Sequence, residues 1–321
     1  MNKNATFRQL AAFHSVARLG SVSRAANELH LTQPAISIQI KLLEESAGTP
    51  LLEREGRGIR LTGAGELMAE YAARILDLWR EAGDEMAARS GGFSGTLRVG
   101  AVTTAEYLLP PLLVAFADGR PEVKIKLRVG NRNEIVHMLA GQEIDIAIMG
   151  RPPAELKTTA LPFAKHPMAF LASPKDPLMT RRRLTVADLA EAKLLVRERG
   201  SGTRTTLETL YKEAGMALRV GSELSSNEAI KQMCAAGFGV AFLSMHTCRL
   251  ELEAGLLALL PMSVNPIERD WYAMHLATRR LPQLASAFMH FLTTHGQRLI
   301  LAQLRSTPPS SKQPGRKSRT R

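Results

Sequence analysis

Cysteine is almost missing from this chain: Cys234 and Cys248 are the only two in 321 residues. Two lone thiols give neither a disulfide framework nor a metal-ligand spacing, so a reducing cytoplasm is the expected location. Long apolar runs are missing too. The strongest, CAAGFGVAFLSM at residues 234–245, is broken by glycines and falls short of the ~18 residues a membrane span needs. The opening MNKNATFRQLAAFHSVARLG is amphipathic and has no secretory apolar core, so neither export nor membrane association is expected. Catalytic groupings are scarce as well. The histidines (His14, His30, His137, His166, His246, His275, His290 and His295) are scattered, and none pairs by spacing into a metal site. Ser201 stands in no Gly-x-Ser-x-Gly frame. No catalytic residue, metal or resident cofactor is expected.

What is present is ordinary for a globular protein: 45% hydrophobic and 22% charged residues, in a length that suits two or three domains. The formal net charge of +12 points to polyanions, but six of the basic residues lie in residues 304–321, without an acid among them. That Pro- and Ser-rich tail is expected to be disordered. Charge alone is therefore a weak argument for sequence-specific DNA binding.

Residues 21–45, SVSRAANELHLTQPAISIQIKLLEE, carry the stronger signal. They read as two short helices with a corner at His30-Leu31. Ser23 is the predicted cap of the first and Thr32 of the second, with Pro34 in the opening turn. Ala35, Ile36, Ile40 and Leu43 form an apolar back; Gln33, Ser37, Gln39 and Lys41 form a polar front, as a major-groove helix requires. A helix over residues 6–18 precedes the pair. After it, LLEREGRGIRLT (51–62) reads as two strands around a Gly-rich turn that carries Arg54, Arg57 and Arg60, suited to phosphate contact. A helix over residues 63–90 follows. Its Leu67, Tyr71, Ile75, Leu78, Ala82 and Met86 make one long apolar stripe that calls for a partner helix. SGGFSG (90–95) is the predicted hinge.

Residues 5–65 resemble the winged helix-turn-helix of LysR-type transcriptional regulators. The pieces that carry the resemblance are Phe7, Phe13, Gly20-Ser21, Ala25-Ala26, Leu29, Gln33-Pro34-Ala35, Ser37, Leu43-Glu44, Gly48, Leu52, Arg54, Leu61-Thr62 and Gly65. The family often has Arg after the serine of the reading helix; here that place is Ile38, which suits a thymine methyl better. The resulting DNA-contact set is Thr32, Gln33, Pro34, Ser37, Gln39, Lys41, Arg54 and Arg57.

From residue 95 the pattern alternates strand and helix: strands at 96–102, 124–130, 144–150, 168–173, 194–198, 219–224, 239–244 and 271–278, and helices at 106–117, 133–140, 203–214, 227–236 and 281–304. This predicts an α/β, two-lobed, periplasmic-binding-protein-like effector domain, an architecture the LysR resemblance also implies. The expected division is 1–62 DNA-binding; 63–94 linker and hinge; 95–169 with 271–304 as one lobe; 170–270 as the other; and 305–321 as tail.

Ligands of such sheets sit at strand carboxyl ends, against helix N-termini. Thr103 and Thr104, Asn131, Gly150 and Arg151, the loop Arg199-Gly200-Ser201-Gly202-Thr203-Arg204, and Asn227 occupy such places. Glycines for close backbone approach, hydroxyls and arginines suit a phosphorylated anion. The loop is not a Walker motif, nor a complete Gly-x-Gly-x-x-Gly, since Thr205 stands at the third glycine.

Residues 130–153, 194–215 and 226–247 are similar to LysR-type regulators of the carbon-fixation (RuBisCO) operon. The resemblance implies an activator of such an operon and a small-molecule effector: ribulose 1,5-bisphosphate, phosphoenolpyruvate or NADPH. It further implies double-stranded promoter DNA and RNA polymerase as partners, and a homotetramer built from linker-paired dimers. A regulator of another metabolic operon, a phosphate-binding enzyme and a cytoplasmic solute-binding protein remain as alternatives.

Overall fold

The computed structural model describes residues 5–55, 58–89 and 95–305. Thr6 opens α1 (Phe7–Leu19) with a capping box. Its hydroxyl accepts from the Gln9 N–H at 3.3 Å, and Gln9 Oε1 accepts from the Thr6 N–H at 2.8 Å. Gly20, at φ 61°, ends the helix. The chain re-enters helix at once, so α2 (Val22–Glu28) is capped by Ser21, which accepts from the Arg24 N–H at 3.3 Å. Ser23, the predicted cap, lies inside the first turn. His30, at φ 53°, makes the corner. Thr32 caps α3 (Gln33–Ala47), with Pro34 in its first turn. Ile36, Ile40 and Leu43 of α3 are buried in one cluster with Phe13 and Val16 of α1 and Ala25 and Ala26 of α2.

The hairpin is formed by β1 (Leu52–Glu55) and β2 (Gly58–Leu61), with Arg54 opposite Ile59. Thr62 accepts from the Gly65 N–H at 3.0 Å and starts α4 (Gly63–Arg89). A Cβ at Gly65 would stand 2.0 Å from the Leu51 carbonyl oxygen, so glycine lets α4 lie flat against the hairpin. Residues 90–94 of the predicted hinge at 90–95, Arg57 and the tail beyond residue 305 lie outside the described residues.

The α/β part runs β3 (Gly95–Val102), α5 (Leu109–Ala117), β4 (Val123–Gly130), α6 (Arg132–Ala140), β5 (Ile146–Met149), β6 (Thr158–Ala172), β7 (Leu194–Arg197), α7 (Gly202–Glu213), β8 (Ser222–Leu224), α8 (Asn227–Ala235), β9 (Val240–Ser244), α9 (Arg249–Glu253), β10 (Ala258–Leu259), β11 (Ile267–Leu276) and α10 (Gln283–Arg305). The strand order is β4-β3-β5-β11-β6-β9-β7-β8, with β10 on β6. β3 is parallel to β4 and β5, and β7 is parallel to β8 and β9. β6 and β11 are antiparallel to each other along their length and join the two sets. The predicted lobe boundaries at 169/170 and 270/271 fall inside these continuous strands.

Two departures from the sequence reading have local causes. The helix expected from residue 106 starts at Leu109, because Pro110 and Pro111 fit a first turn and not an interior. The strand expected at 144–150 shortens, because Asp145 turns in to accept from Arg98 Nη2 at 2.9 Å and Arg279 Nη1 at 3.2 Å. The strands expected from 168 and 271 begin ten and four residues earlier, at Thr158 and Ile267.

One core gathers Leu97, Val99, Phe116, Ile146, Trp271 and Phe288. A second, in the other lobe, gathers Phe170, Val196, Leu207, Tyr211 and Phe242, and two further clusters form around Ile230 and Leu243 and around Ile135 and Met274. Arg18 of α1 reaches Glu143 at 3.4 Å and Asp77 of α4 faces Arg279 at 3.9 Å, so the first lobe touches the N-terminal part.

Candidate functional site

The front of α3 is open to solvent. Thr32, Gln33, Pro34, Ser37 and Lys41 are exposed, while Gln39 is half-buried at the edge of that face. Ile38 stands 57% exposed among them. A β-branched side chain held out on a polar face has no packing role there, and it presents a methyl-sized apolar tip. Arg54 is exposed on the adjacent hairpin. Arg60 is paired with Glu53 at 2.5 Å, which offsets part of its charge. Leu67, Tyr71, Ile75, Leu78 and Met86 of α4 are all exposed, the stripe lying where the sequence put it.

A cavity of about 340 Å³ lies between the lobes, within the range of small-ligand sites. Four segments meet there. Thr103 and Thr104 follow β3, and Asn131 to Asn133 open α6. Gly150 and Arg151 follow β5, and Gly200 to Thr203 open α7. Gly200, at φ 89°, is in close approach across the cleft: a Cβ there would stand 2.8 Å from Asn133 Nδ2. Ser201 and Thr203 are buried, and the Ser201 hydroxyl makes no capping bond to α7. The backbone N–H groups that begin a helix are partial positive charges, favourable to an anion. The charged residues of the lining are Arg132, Arg151 and Arg269, beside the imidazole of His166 and with no carboxylate. Arg132 is partnered by Glu155 at 3.0 Å.

Of the effector residues expected from sequence, Thr103, Thr104, Asn131, Gly150, Arg151, Ser201, Gly202 and Thr203 line this cavity; Arg199, Arg204 and Asn227 do not. Arg199 is exposed elsewhere. Arg204 turns back under α7, to Glu208 at 2.6 Å, Glu223 at 3.3 Å and the Arg197 carbonyl at 3.1 Å. Asn227 is buried with its Oδ1 accepting from Arg197 Nη1 at 2.5 Å. Both have structural partners in place of a ligand. Asn131 has a divided role, since its Oδ1 caps α6 through the Glu134 N–H at 3.0 Å.

Residues 7–66 match the family described as bacterial regulatory helix-turn-helix protein, lysR family, and residues 90–297 match the LysR substrate binding domain. The chain belongs to the LysR family of transcriptional regulators. A LysR protein regulates transcription through DNA, so the chain is not an enzyme, and residues 7–66 form its DNA-binding domain. The HTH-type transcriptional regulator CbbR of Rhodospirillum rubrum is 43% identical over 89% of this chain and 95% of its own length. The RuBisCO operon transcriptional regulator of Allochromatium vinosum is 36% identical over 92% of this chain and 97% of its own. Among solved structures, the Synechocystis PCC6803 CcmR regulatory domain in complex with 2-PG is 34% identical, with a TM-score of 0.60, and covers 63% of this chain and 97% of that one. In this LysR chain no helix of the described residues is long and apolar enough to cross a membrane.

Sequence reasoning missed Arg132, Asn133, His166, Thr206, Thr209 and Arg269 in the lining. Thr206 and Thr209 could have been found, because they follow Thr203 at helical spacing on one face of α7. His166 and Arg269 face each other across β6 and β11, in stretches not read as strand.

Proposed function

We propose that this chain activates a CO2-fixation (RuBisCO) operon in response to a phosphorylated metabolite or NADPH. The observation that carries the effector class is the cavity wall: its charged side chains are all basic, and two helix N-termini open onto it. A dianion gains charge-assisted hydrogen bonds there without facing a carboxylate. The operon reading is supported by 36% identity to a RuBisCO operon regulator over 92% of the chain. Ribulose 1,5-bisphosphate, phosphoenolpyruvate and NADPH are the candidate effectors.

On this reading Gln33, Pro34, Ser37, Ile38 and Gln39 meet base edges, while Thr32, Lys41, Arg54 and Arg57 meet phosphates. The exposed stripe of α4 pairs two copies on a near-palindromic site, and two such dimers form a homotetramer on promoter DNA in the cytoplasm. Effector binding closes the lobes on each other, changes the spacing of the DNA-reading helices and thereby alters contact with RNA polymerase.

Gel-shift and footprinting experiments with the upstream region of a RuBisCO operon test this. Protection of a near-palindrome is expected, and at least one of the three effectors should change its extent. Equal affinity for an unrelated promoter would remove the operon assignment. A footprint identical with and without each effector would remove the effector class.

A further inference from the structure

His166 occupies an unusual position in the cavity. It comes from β6, one of the two strands that join the lobes, and its ring stacks on Trp271 of β11 with centroids 3.8 Å apart. The side chain is buried, yet neither ring nitrogen meets a hydrogen-bond partner among the described residues. A buried imidazole with both nitrogens unmatched is costly, and such groups in native proteins usually have a functional reason. Gly150 packs directly against the ring: a Cβ there would stand 3.0 Å from Nδ1.

The charges around His166 are one-sided. From β11 comes Arg269, opposite His166 in the ladder. From the loop after β5 comes Arg151, and from the start of α6 comes Arg132, held by Glu155. After β9 stands His246, whose ring is 6.2 Å away and whose Nδ1 accepts from Trp271 Nε1 at 3.2 Å. The neighbours Lys165, which is exposed, and Asp270, which is half-buried, pair with each other at 3.1 Å. From α7 only Ser201, Gly202 and threonines reach the cavity. Burial first, then His246 and Arg269, hold the His166 pKa well below the ordinary histidine value. His246 is pushed down to about 4 by burial.

We propose that His166 is a recognition residue of the effector cavity, donating a hydrogen bond to an oxyanion of the ligand and taking up a proton as the ligand binds. This rests on the anionic-effector reading given above. The proton comes from solvent and is held on the imidazole; no covalent bond forms or breaks. The imidazole is neutral without ligand, since burial among arginines penalises its cation. A phosphate or carboxylate oxygen beside it reverses the balance, and the imidazolium then offers both N–H groups as donors. Because the bound form carries the extra proton, affinity weakens as pH rises from the free value to the bound value and is level outside that window. Placed on a crossing strand and stacked on the core tryptophan, the new charge appears where the two lobes hinge.

The test is isothermal calorimetry on the full-length protein, with ribulose 1,5-bisphosphate, phosphoenolpyruvate, NADPH and inorganic phosphate as probes. Buffers of different ionisation enthalpy at pH 7.5 report protons taken up per ligand, above the ~6 second ionisation of a phosphate group itself. Uptake approaching one proton is expected for wild type and for His246→Gln, and none for His166→Gln. Between pH 7.5 and 8.5 the wild-type Kd is expected to weaken by up to about tenfold, while that of His166→Gln stays flat. Circular dichroism establishes that the variant is folded; if it is not, His166→Asn takes its place. Binding to wild type with no proton uptake, or with uptake retained in the His166 variant, overturns this inference and leaves the anion site standing. If no probe binds wild type, the anion-site reading and the role of His166 fall together.

Discussion

Arg197→Ala is expected to lower stability by about 3–5 kcal/mol, because it strands the partners of a buried cation. Arg197 is 2% exposed at the end of β7. Its guanidinium donates to Glu198 at 2.8 and 2.9 Å, to Asn227 Oδ1 at 2.5 Å and to Thr103 Oγ1 at 3.1 Å. The first two partners belong to the second lobe and Thr103 to the first, so one side chain both completes a polar core and ties the lobes beside the cavity. Thr103→Ala removes only the tie, and is expected to cost about 1 kcal/mol. Thermal unfolding separates the two: the arginine variant melts well below wild type, at roughly 2–4 °C per kcal/mol lost, and the threonine variant close to it. Equal melting temperatures for Arg197→Ala and wild type would show that the cluster is replaced by water at little cost.

Charging the α4 stripe is expected to have the largest effect on DNA binding. Tyr71 and Leu78 are 49% and 63% exposed, and Leu67 and Ile75 continue the same face. With Tyr71→Glu and Leu78→Glu together, two copies could pair only by burying four carboxylates, each costing several kcal/mol. The variant is expected to sediment as a monomer. Its operator affinity should fall about 100-fold or more, since the second half-site no longer adds to the first. A variant that stayed dimeric at wild-type operator affinity would place the pairing surface elsewhere. Neither position is buried in the fold of one chain, so the wild-type circular dichroism spectrum should be retained.

How far the fold could be read from sequence depended on local signals. The helix-turn-helix is legible because its caps, its one proline and its periodic apolar residues all act within a few positions. Even there the cap is Ser21 and not Ser23, because the left-handed turn at Gly20 lets the chain re-enter helix at once. The strands β6 and β11 were half legible. Pro162 and Pro167 lie inside β6, and proline inside a strand normally argues against one. Glu268, Arg269 and Asp270 open β11 with charges, as a loop would. Those missed halves hold His166 and Arg269, so the cavity was seen from its loops and not from its floor. Arg204 and Asn227 were misplaced for the opposite reason. A strand-to-helix end was recognised, but the buried Arg197 and the carboxylates Glu208 and Glu223 that claim them come from positions the local pattern does not single out.

The central claim is that the front of α3 lies against base edges. Tethered cleavage from Ser37→Cys tests it most directly. Cys234 and Cys248 are buried, with thiols pushed up to about 11 and about 12 by burial, so a thiol at position 37 is the one expected to react with an iron chelate at neutral pH. Bound to the operator and activated, the conjugate is expected to cut both strands within each half of the near-palindrome, on the major-groove side. Cutting outside the protected region, or none from a conjugate that still binds the operator, would contradict the claim.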